Sequence, residues 1–123
     1  MIDAFLDTNA ILRHLLDDHP EHAALAHERL RQVEAGRLRV RTSDTVVFEA
    51  VFTLERVYRV PRPAIADALA PIIELPGIVL PTKRVVLRAL DVYREHNLSF
   101  ADCYHAALME RLGLTDILTF DRG

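Results

Sequence analysis

Four acidic residues, Asp7, Glu49, Asp102 and Asp121, are the side chains of this sequence whose placement could support chemistry. Asp7 and Asp121 each follow a short apolar segment that predicts a β-strand. Ligands bind beyond the carboxyl ends of parallel strands, so we expect both acids at one edge of a sheet. Glu49 and Asp102 fall in the first two turns of predicted helices, each at the margin of an apolar stripe from which a carboxylate could reach that edge.

Convergence of these acids would demand a cation, because carboxylates at close range repel one another unless they are neutralised. Oxygen ligands without a supporting Cys or His cluster suit Mg²⁺ or Mn²⁺ better than Zn²⁺. Such ions promote phosphodiester hydrolysis by activating water and stabilising the leaving oxygen. The residue types therefore predict a metal-dependent hydrolytic site.

A structural role is also open for each acid. Asp7 could cap the helix that follows it, and Ser99-x-x-Asp102 has the pattern of a capping box. Glu49 could be a solvated helix residue, and Asp121 could be a turn residue at the end of a strand. Taken singly, each acid is explained at least as well by structure as by catalysis.

Four other polar residues are weaker candidates. Asp116 precedes its strand and should lie at the opposite edge of the sheet, and Asp44, beside Ser43, is explained by the helix dipole. His105 follows Asp102 by one turn but falls inside an apolar stripe, which favours a buried core histidine. Cys103 has no neighbouring base and is expected to be inert.

The elements that must position the acids alternate along the chain. Strands are predicted at residues 2–6, 38–42, 78–80 and 117–120, and helices at 8–17, 20–35, 43–58, from Pro61 to the Pro76-Gly77 break, from Thr82 to Asn97 and from Ser99 to Gly113. This order predicts a three-layer α/β domain with a mostly parallel sheet, formed by residues 1–123 as a single domain.

Two of these helices carry predicted buried faces. In the helix at 43–58 the buried stripe is Val46, Val47, Ala50, Val51, Leu54, Val57 and Tyr58, with Phe48 and Phe52 on the opposite side, where we expect a partner chain or another helix. In the last helix the buried arc is Ala101, Tyr104, His105, Leu108, Met109 and Leu112.

Composition favours a soluble, cytoplasmic protein. The 123 residues contain no apolar run near 20 residues and a single cysteine. The net charge of −3 gives no global case for nucleic acid, although 14 of the 15 basic residues are arginine, which suits phosphate.

The motifs resemble those of a known family when they are taken together. FLDTNAIL, Glu49 in VVFEAVFTL, Asp102 in LSFADCYHAAL and Asp121 in LTFDRG look like the four acidic motifs of the PIN domain family. The likeness covers the whole chain and is closest to the VapC-like ribonuclease toxins of type II toxin–antitoxin pairs. It implies a PIN-like three-layer α/β/α fold with a short, mostly parallel central sheet.

This resemblance also implies an activity, an endoribonuclease that hydrolyses RNA phosphodiesters with a water activated by Mg²⁺ or Mn²⁺. By the same carry-over, Asp7, Asp102 and Asp121 would face the metal, and Glu49 would hold metal or the attacking water. Thr8, Asn9 and Thr119 would support them by hydrogen bonds. The implied partners are an RNA substrate, a cognate antitoxin and a second copy of the chain, in a homodimer or a hetero-oligomer with antitoxin. We expect no association with a membrane.

Similar proteins continue past the last acidic motif into another strand, whereas this sequence stops at Gly123. Either the sequence is trimmed or its terminus differs. Two other functions stay open: an inactive PIN-like module that binds RNA or protein, and an aspartyl-phosphate phosphotransfer protein. The second fits poorly, because a haloacid-dehalogenase-like phosphatase wants an Asp where Asn9 stands, and a receiver domain wants a lysine at a strand end, whereas Lys83 begins a helix.

Overall fold

A computed structural model describes residues 1–16 and 18–118, in which each of three short strands is followed by two helices. The elements are β1 Ala4–Phe5, α1 Thr8–Leu16, α2 Pro20–Glu34, β2 Val40–Arg41, α3 Asp44–Arg56, α4 Arg62–Glu74, β3 Ile78–Val79, α5 Lys83–Glu95 and α6 Phe100–Leu112. The alternation predicted from the sequence is present, although the strands are shorter than predicted.

The three strands form one parallel sheet in the order β1-β2-β3. Val40 of the central strand lies opposite Ala4 of β1 and Ile78 of β3. Just beyond the strands, the buried Thr42 hydroxyl donates a hydrogen bond to the Leu6 carbonyl at 2.9 Å, which ties the carboxyl ends of β1 and β2 together. The predicted α/β class with a parallel sheet is confirmed.

Three helix ends lie where the sequence signals place them. The Ser43 hydroxyl accepts a hydrogen bond from the Val46 N–H, and the Ser99 hydroxyl accepts one from the Asp102 N–H, so both serines are N-caps. Gly113 ends α6 in the left-handed region at φ 70°, a conformation that a residue with a Cβ rarely adopts. The start of α3 and both ends of α6 are therefore set by local sequence.

Helix α3 buries most of its predicted stripe. The buried residues are Val46, Val47, Ala50, Val51 and Leu54. The prediction is wrong for Val57 and Tyr58, which are 64% and 41% exposed, because the helix ends at Arg56, before them.

Phe48 meets another helix, which is one of the two contacts expected for Phe48 and Phe52. The Phe48 ring is half-buried and meets the rings of Phe100 and Tyr104 edge to face, at centroid distances of 5.0 and 5.1 Å. Helix α6 covers this side of α3. Phe52 is 60% exposed.

The buried face of α6 differs from the predicted one. Its buried residues are Phe100, Cys103, Tyr104 and Ala107, whereas Ala101, Leu108 and Met109 are half-buried and His105 and Leu112 are exposed. The interpretation of His105 as a buried core residue is therefore wrong. Apolar residues surround most of this helix, so periodicity does not fix its orientation, and the contacts of Phe100 with Tyr93 and Phe48 do.

The last predicted strand falls partly outside the described residues. Ile117 and Leu118 are exposed and form no strand, and residues 119–120 are not among those described. Within the described ranges, none of the helices has the length and apolar character needed to cross a membrane.

Candidate active site

Asp7 lies at the junction where β1 ends and α1 begins. Its Oδ1 accepts a hydrogen bond of 2.9 Å from the N–H of Ala10, so Asp7 caps the first turn of α1. The residue is exposed, and its other oxygen, Oδ2, makes no hydrogen bond with any described residue. The cap therefore fixes the carboxylate while one oxygen stays available to a ligand.

Glu49 is connected to this junction by Thr8. The Thr8 hydroxyl donates a hydrogen bond to Oε2 of Glu49 at 3.3 Å. Thr8 is the first residue of α1 and Glu49 lies in the second turn of α3, so the contact joins two elements that are distant in sequence. Glu49 is exposed, and its Oε1 has no hydrogen-bond partner among the described residues.

Asp102 lies in the first turn of α6 and is exposed. Its N–H donates to the Ser99 hydroxyl at 3.1 Å, which is one half of the predicted capping box. The reciprocal bond is absent among the described residues, because the Asp102 carboxylate makes no hydrogen bond or ion pair with them. Asp102 is thus capped through its backbone while its carboxylate remains available.

The first turn of α6 lies against α3 close to Glu49. Phe48, the residue before Glu49, packs between Phe100 and Tyr104, which flank Asp102 by two residues on either side. Two positions along a helix are about 200° apart, so Asp102 lies across α6 from this contact. The structure brings the two helices together but does not direct Asp102 onto Glu49.

The remaining predicted residues are placed as follows. Asn9, exposed in the first turn of α1, lines a groove of about 380 Å³ between α1 and α2. Thr119 and Asp121 lie outside the described residues. In residues 1–16 and 18–118, no three His, Cys, Asp or Glu side chains form a group that could hold a metal ion.

The PIN domain family matches residues 4–123 of the sequence, which is nearly the whole chain. The chain belongs to the PIN domain family. PIN domains have a nuclease-type fold, are generally nucleases and typically use divalent metals. No curated protein and no solved structure gives a significant match to this PIN domain.

The donor chemistry of this PIN domain suits a hard divalent cation. Asp7, Glu49 and Asp102 are exposed carboxylates, and each keeps at least one oxygen without a hydrogen-bond partner among the described residues. Mg²⁺ and Mn²⁺ prefer such oxygen ligands. The residue types therefore fit the metals that the family typically uses.

A hydrogen-bond network around Asp44 was missed by sequence reasoning. Oδ2 of Asp44 accepts a bond of 2.6 Å from the Tyr104 hydroxyl, and Oδ1 accepts a bond from the Thr82 hydroxyl. Asp44 begins α3, Thr82 occupies the N-cap position of α5 and Tyr104 belongs to α6, so one carboxylate ties three helices together. The interpretation of Asp44 as only a helix-dipole residue is incomplete.

The predicted burial of Tyr104 was the sequence feature that indicated this network. A buried tyrosine hydroxyl usually finds a hydrogen-bond partner, and Tyr104 was predicted to be buried. Burial raises the pKa of Tyr104, and the hydrogen bond to the Asp44 carboxylate raises it further. The sequence indicated that a partner was needed but not which residue supplied it.

Proposed function

We propose that this PIN domain is an endoribonuclease dependent on Mg²⁺ or Mn²⁺ and the toxin component of a type II toxin–antitoxin pair. The observation that supports it best is the Thr8–Glu49 hydrogen bond beside Asp7. It connects Thr8, the residue that follows Asp7 at the carboxyl end of a parallel strand, with an acid on a neighbouring helix. Ligands of α/β proteins bind at that edge of the sheet.

In this proposal Asp7, Asp102 and Asp121 hold the cation, and Glu49 holds the cation or the attacking water. Thr8, Asn9 and Thr119 support the acids by hydrogen bonds. When bound, the cation would activate water and stabilise the leaving oxygen of the phosphodiester.

The chain itself would supply positioning and a proton acceptor. The Ala10 N–H holds Oδ1 of Asp7, and the Thr8 hydroxyl holds Oε2 of Glu49. Each bond restricts the rotation of a carboxylate and so lowers the entropic cost of forming the reactive geometry. Oε1 of Glu49 is then free to accept a hydrogen bond from the water that attacks the phosphorus.

The proposed partners are an RNA substrate, a cognate antitoxin and a second copy of the chain. Phe52 is the aromatic residue of α3 that remains open for such a contact, at 60% exposure. The Arg56 guanidinium lies 5.4 Å from the centre of its ring. A flat aromatic surface with an adjacent arginine is a common composition for the centre of a protein interface.

Cleavage of a defined RNA by the purified protein tests the proposed activity. We expect cut products with Mg²⁺ or Mn²⁺ and none with EDTA. Glu74→Gln, which changes an exposed acid at the end of α4, is the matched control for substitutions of Asp7, Glu49 and Asp102 and should cut like the unmodified protein.

Three outcomes would contradict the proposal. Cleavage that continues in EDTA would exclude the metal dependence. RNA binding without any cut product would favour the inactive binding module. A phospho-aspartate mimic formed with beryllium fluoride would favour the phosphotransfer protein.

A further inference from the structure

Arg62, the first residue of α4, binds the segment of chain that leads into α6. Its Nε donates to the carbonyl of Tyr93 at 3.1 Å, and its Nη2 donates to the carbonyls of His96, at 2.6 Å, and Leu98. Its Nη1 forms an ion pair with Glu55 at 3.4 Å. One side chain therefore occupies acceptors on two helices and on the turn between α5 and α6.

The acceptors explain why this residue is an arginine. Tyr93 lies in the last turn of α5, where carbonyls lack partners within the helix, and His96 and Leu98 lie in the turn that follows. Arginine offers five N–H donors in a planar fork, whereas lysine offers three on one nitrogen. Lysine could not reach all of these acceptors at once.

The Leu98 carbonyl connects Arg62 to the first turn of α6. Leu98 directly precedes Ser99, whose hydroxyl accepts the hydrogen bond from the Asp102 N–H. A change in the path of residues 96–98 would therefore move the N-cap and, with it, the Asp102 backbone.

A second connection runs through the aromatic rings. The Arg62 guanidinium lies 3.7 Å from the centre of the Tyr93 ring, and the Tyr93 ring meets Phe100 edge to face at 5.8 Å. Phe100 begins α6 and also packs against Phe48, the neighbour of Glu49. Arg62 thus supports the start of α6 in two ways. It binds the backbone of residues 96–98, and it contacts the Tyr93 ring that packs against Phe100.

We propose that Arg62 is a positioning residue for Asp102, acting through the turn at 96–98 and the Tyr93 ring. The inference rests on the proposed function, in which Asp102 holds the cation. Loss of the guanidinium would loosen the first turn of α6 and weaken cation binding at Asp102, although Arg62 makes no hydrogen bond to Asp7, Glu49 or Asp102.

Arg62→Gln tests the proposal, with Arg94→Gln as the matched control. Arg94 also connects α4 and α5, through its contact with Asp67 at 2.6 Å, but it makes no hydrogen bond to residues 96–98. Mn²⁺ is titrated while NMR follows the broadening of the Asp102 amide signal, and amide exchange at Asp102 is measured in the same samples. Both readouts are independent of RNA cleavage, and cleavage by the unmodified protein reports separately on the proposed function.

We expect Arg62→Gln to weaken Mn²⁺ binding at least fivefold and to speed Asp102 amide exchange at least tenfold, with Arg94→Gln unchanged in both. Arg62→Lys keeps the positive charge but loses the planar guanidinium, so we expect it to restore neither the Mn²⁺ affinity nor the Asp102 exchange rate. If Arg62→Gln fails to fold, Arg62→Lys replaces it in the test. Equal Mn²⁺ affinity in Arg62 and Arg94 variants would overturn the proposal. So would the absence of Mn²⁺ broadening at Asp102 in the unmodified protein.

Discussion

The hydroxyl of Thr8 donates a hydrogen bond to Oε2 of Glu49 at 3.3 Å, across 41 positions of the sequence. Thr8 directly follows Asp7, so the contact sets the start of α1 beside the acidic residue of α3. Both acids are exposed, and each has one carboxylate oxygen held by the protein. At the carboxyl end of β1, these two hydrogen bonds each hold one carboxylate oxygen.

Removal of the Thr8 hydroxyl should therefore reduce activity without unfolding the protein. We expect Thr8→Val to slow RNA cleavage about tenfold, which is about 1.4 kcal/mol in the activation free energy. The loss of one exposed hydrogen bond should lower the free energy of unfolding by about 1 kcal/mol or less. Thr8→Ser keeps the hydroxyl and is the control. Cleavage at the unmodified rate by Thr8→Val would show that this bond does not serve catalysis.

Asp44 should contribute more to stability than a helix-dipole residue does. Asp44→Ala leaves the Tyr104 and Thr82 hydroxyls without their acceptor, and Tyr104 is only 9% exposed. We expect urea denaturation to show a loss of about 2 to 3 kcal/mol, whereas a dipole effect alone is about 1 kcal/mol or less. A double-mutant cycle with Tyr104→Phe isolates the bond. Additive effects in that cycle would contradict the network.

Stability should fall at alkaline pH because of Tyr93. Burial raises the pKa of this fully buried phenol, and the hydrogen bond and negative charge of Glu55 raise it further. Folding then favours the neutral phenol, so its contribution is fully present below the unfolded pKa of about 10 and is lost as pH rises above it. Urea unfolding from about pH 8 to 11 should show this loss relative to Tyr93→Phe. Parallel pH curves for the two proteins would contradict it.

Substitutions of Phe48 and Phe52 by serine should have different effects. The proposed partners predict that Phe52→Ser weakens self-association or antitoxin binding with little effect on unfolding, because the Phe52 ring is exposed. Phe48→Ser should destabilise the fold by about 2 kcal/mol or more, because its ring packs against Phe100 and Tyr104. Sedimentation equilibrium and antitoxin titration measure the first effect. An unchanged oligomeric mass together with unchanged antitoxin affinity in Phe52→Ser would exclude this surface.

Local signals were sufficient to predict the order of the described helices and strands, although the strands are shorter than predicted and residues 117–118 form no strand. Ser43, Ser99 and Gly113 mark helix ends through hydrogen bonds or backbone angles within a few residues of themselves. The carboxyl end of β1 was predictable for the same reason, because a short apolar run followed by Asp7 is a strand followed by a capped helix.

The contacts between side chains of different helices and strands were harder to predict from the sequence. The orientation of α6 depends on contacts of Phe100 with Tyr93 and Phe48, which no periodicity within α6 encodes. Likewise, Arg62 binds carbonyls that lie 31 to 36 residues away, and its sequence surroundings give no sign of them. Hydrogen bonds to the backbone leave no residue-type signal at the acceptor, so such contacts appear only in the structure.

The most direct test of the proposed nuclease separates the two roles of Asp7. Asparagine caps a helix as well as aspartate does, whereas alanine does not. We expect Asp7→Asn to keep the free energy of unfolding within about 0.5 kcal/mol and Asp7→Ala to lose about 1 kcal/mol.

RNA cleavage with Mg²⁺ or Mn²⁺ is the decisive measurement on these two variants. The proposed function predicts that Asp7→Asn, although fully folded, cuts RNA at least about a hundredfold more slowly than the unmodified protein, a loss of about 2.7 kcal/mol in transition-state stabilisation. Cleavage by folded Asp7→Asn at the unmodified rate would show that Asp7 is only a helix cap and would contradict the assignment of the site.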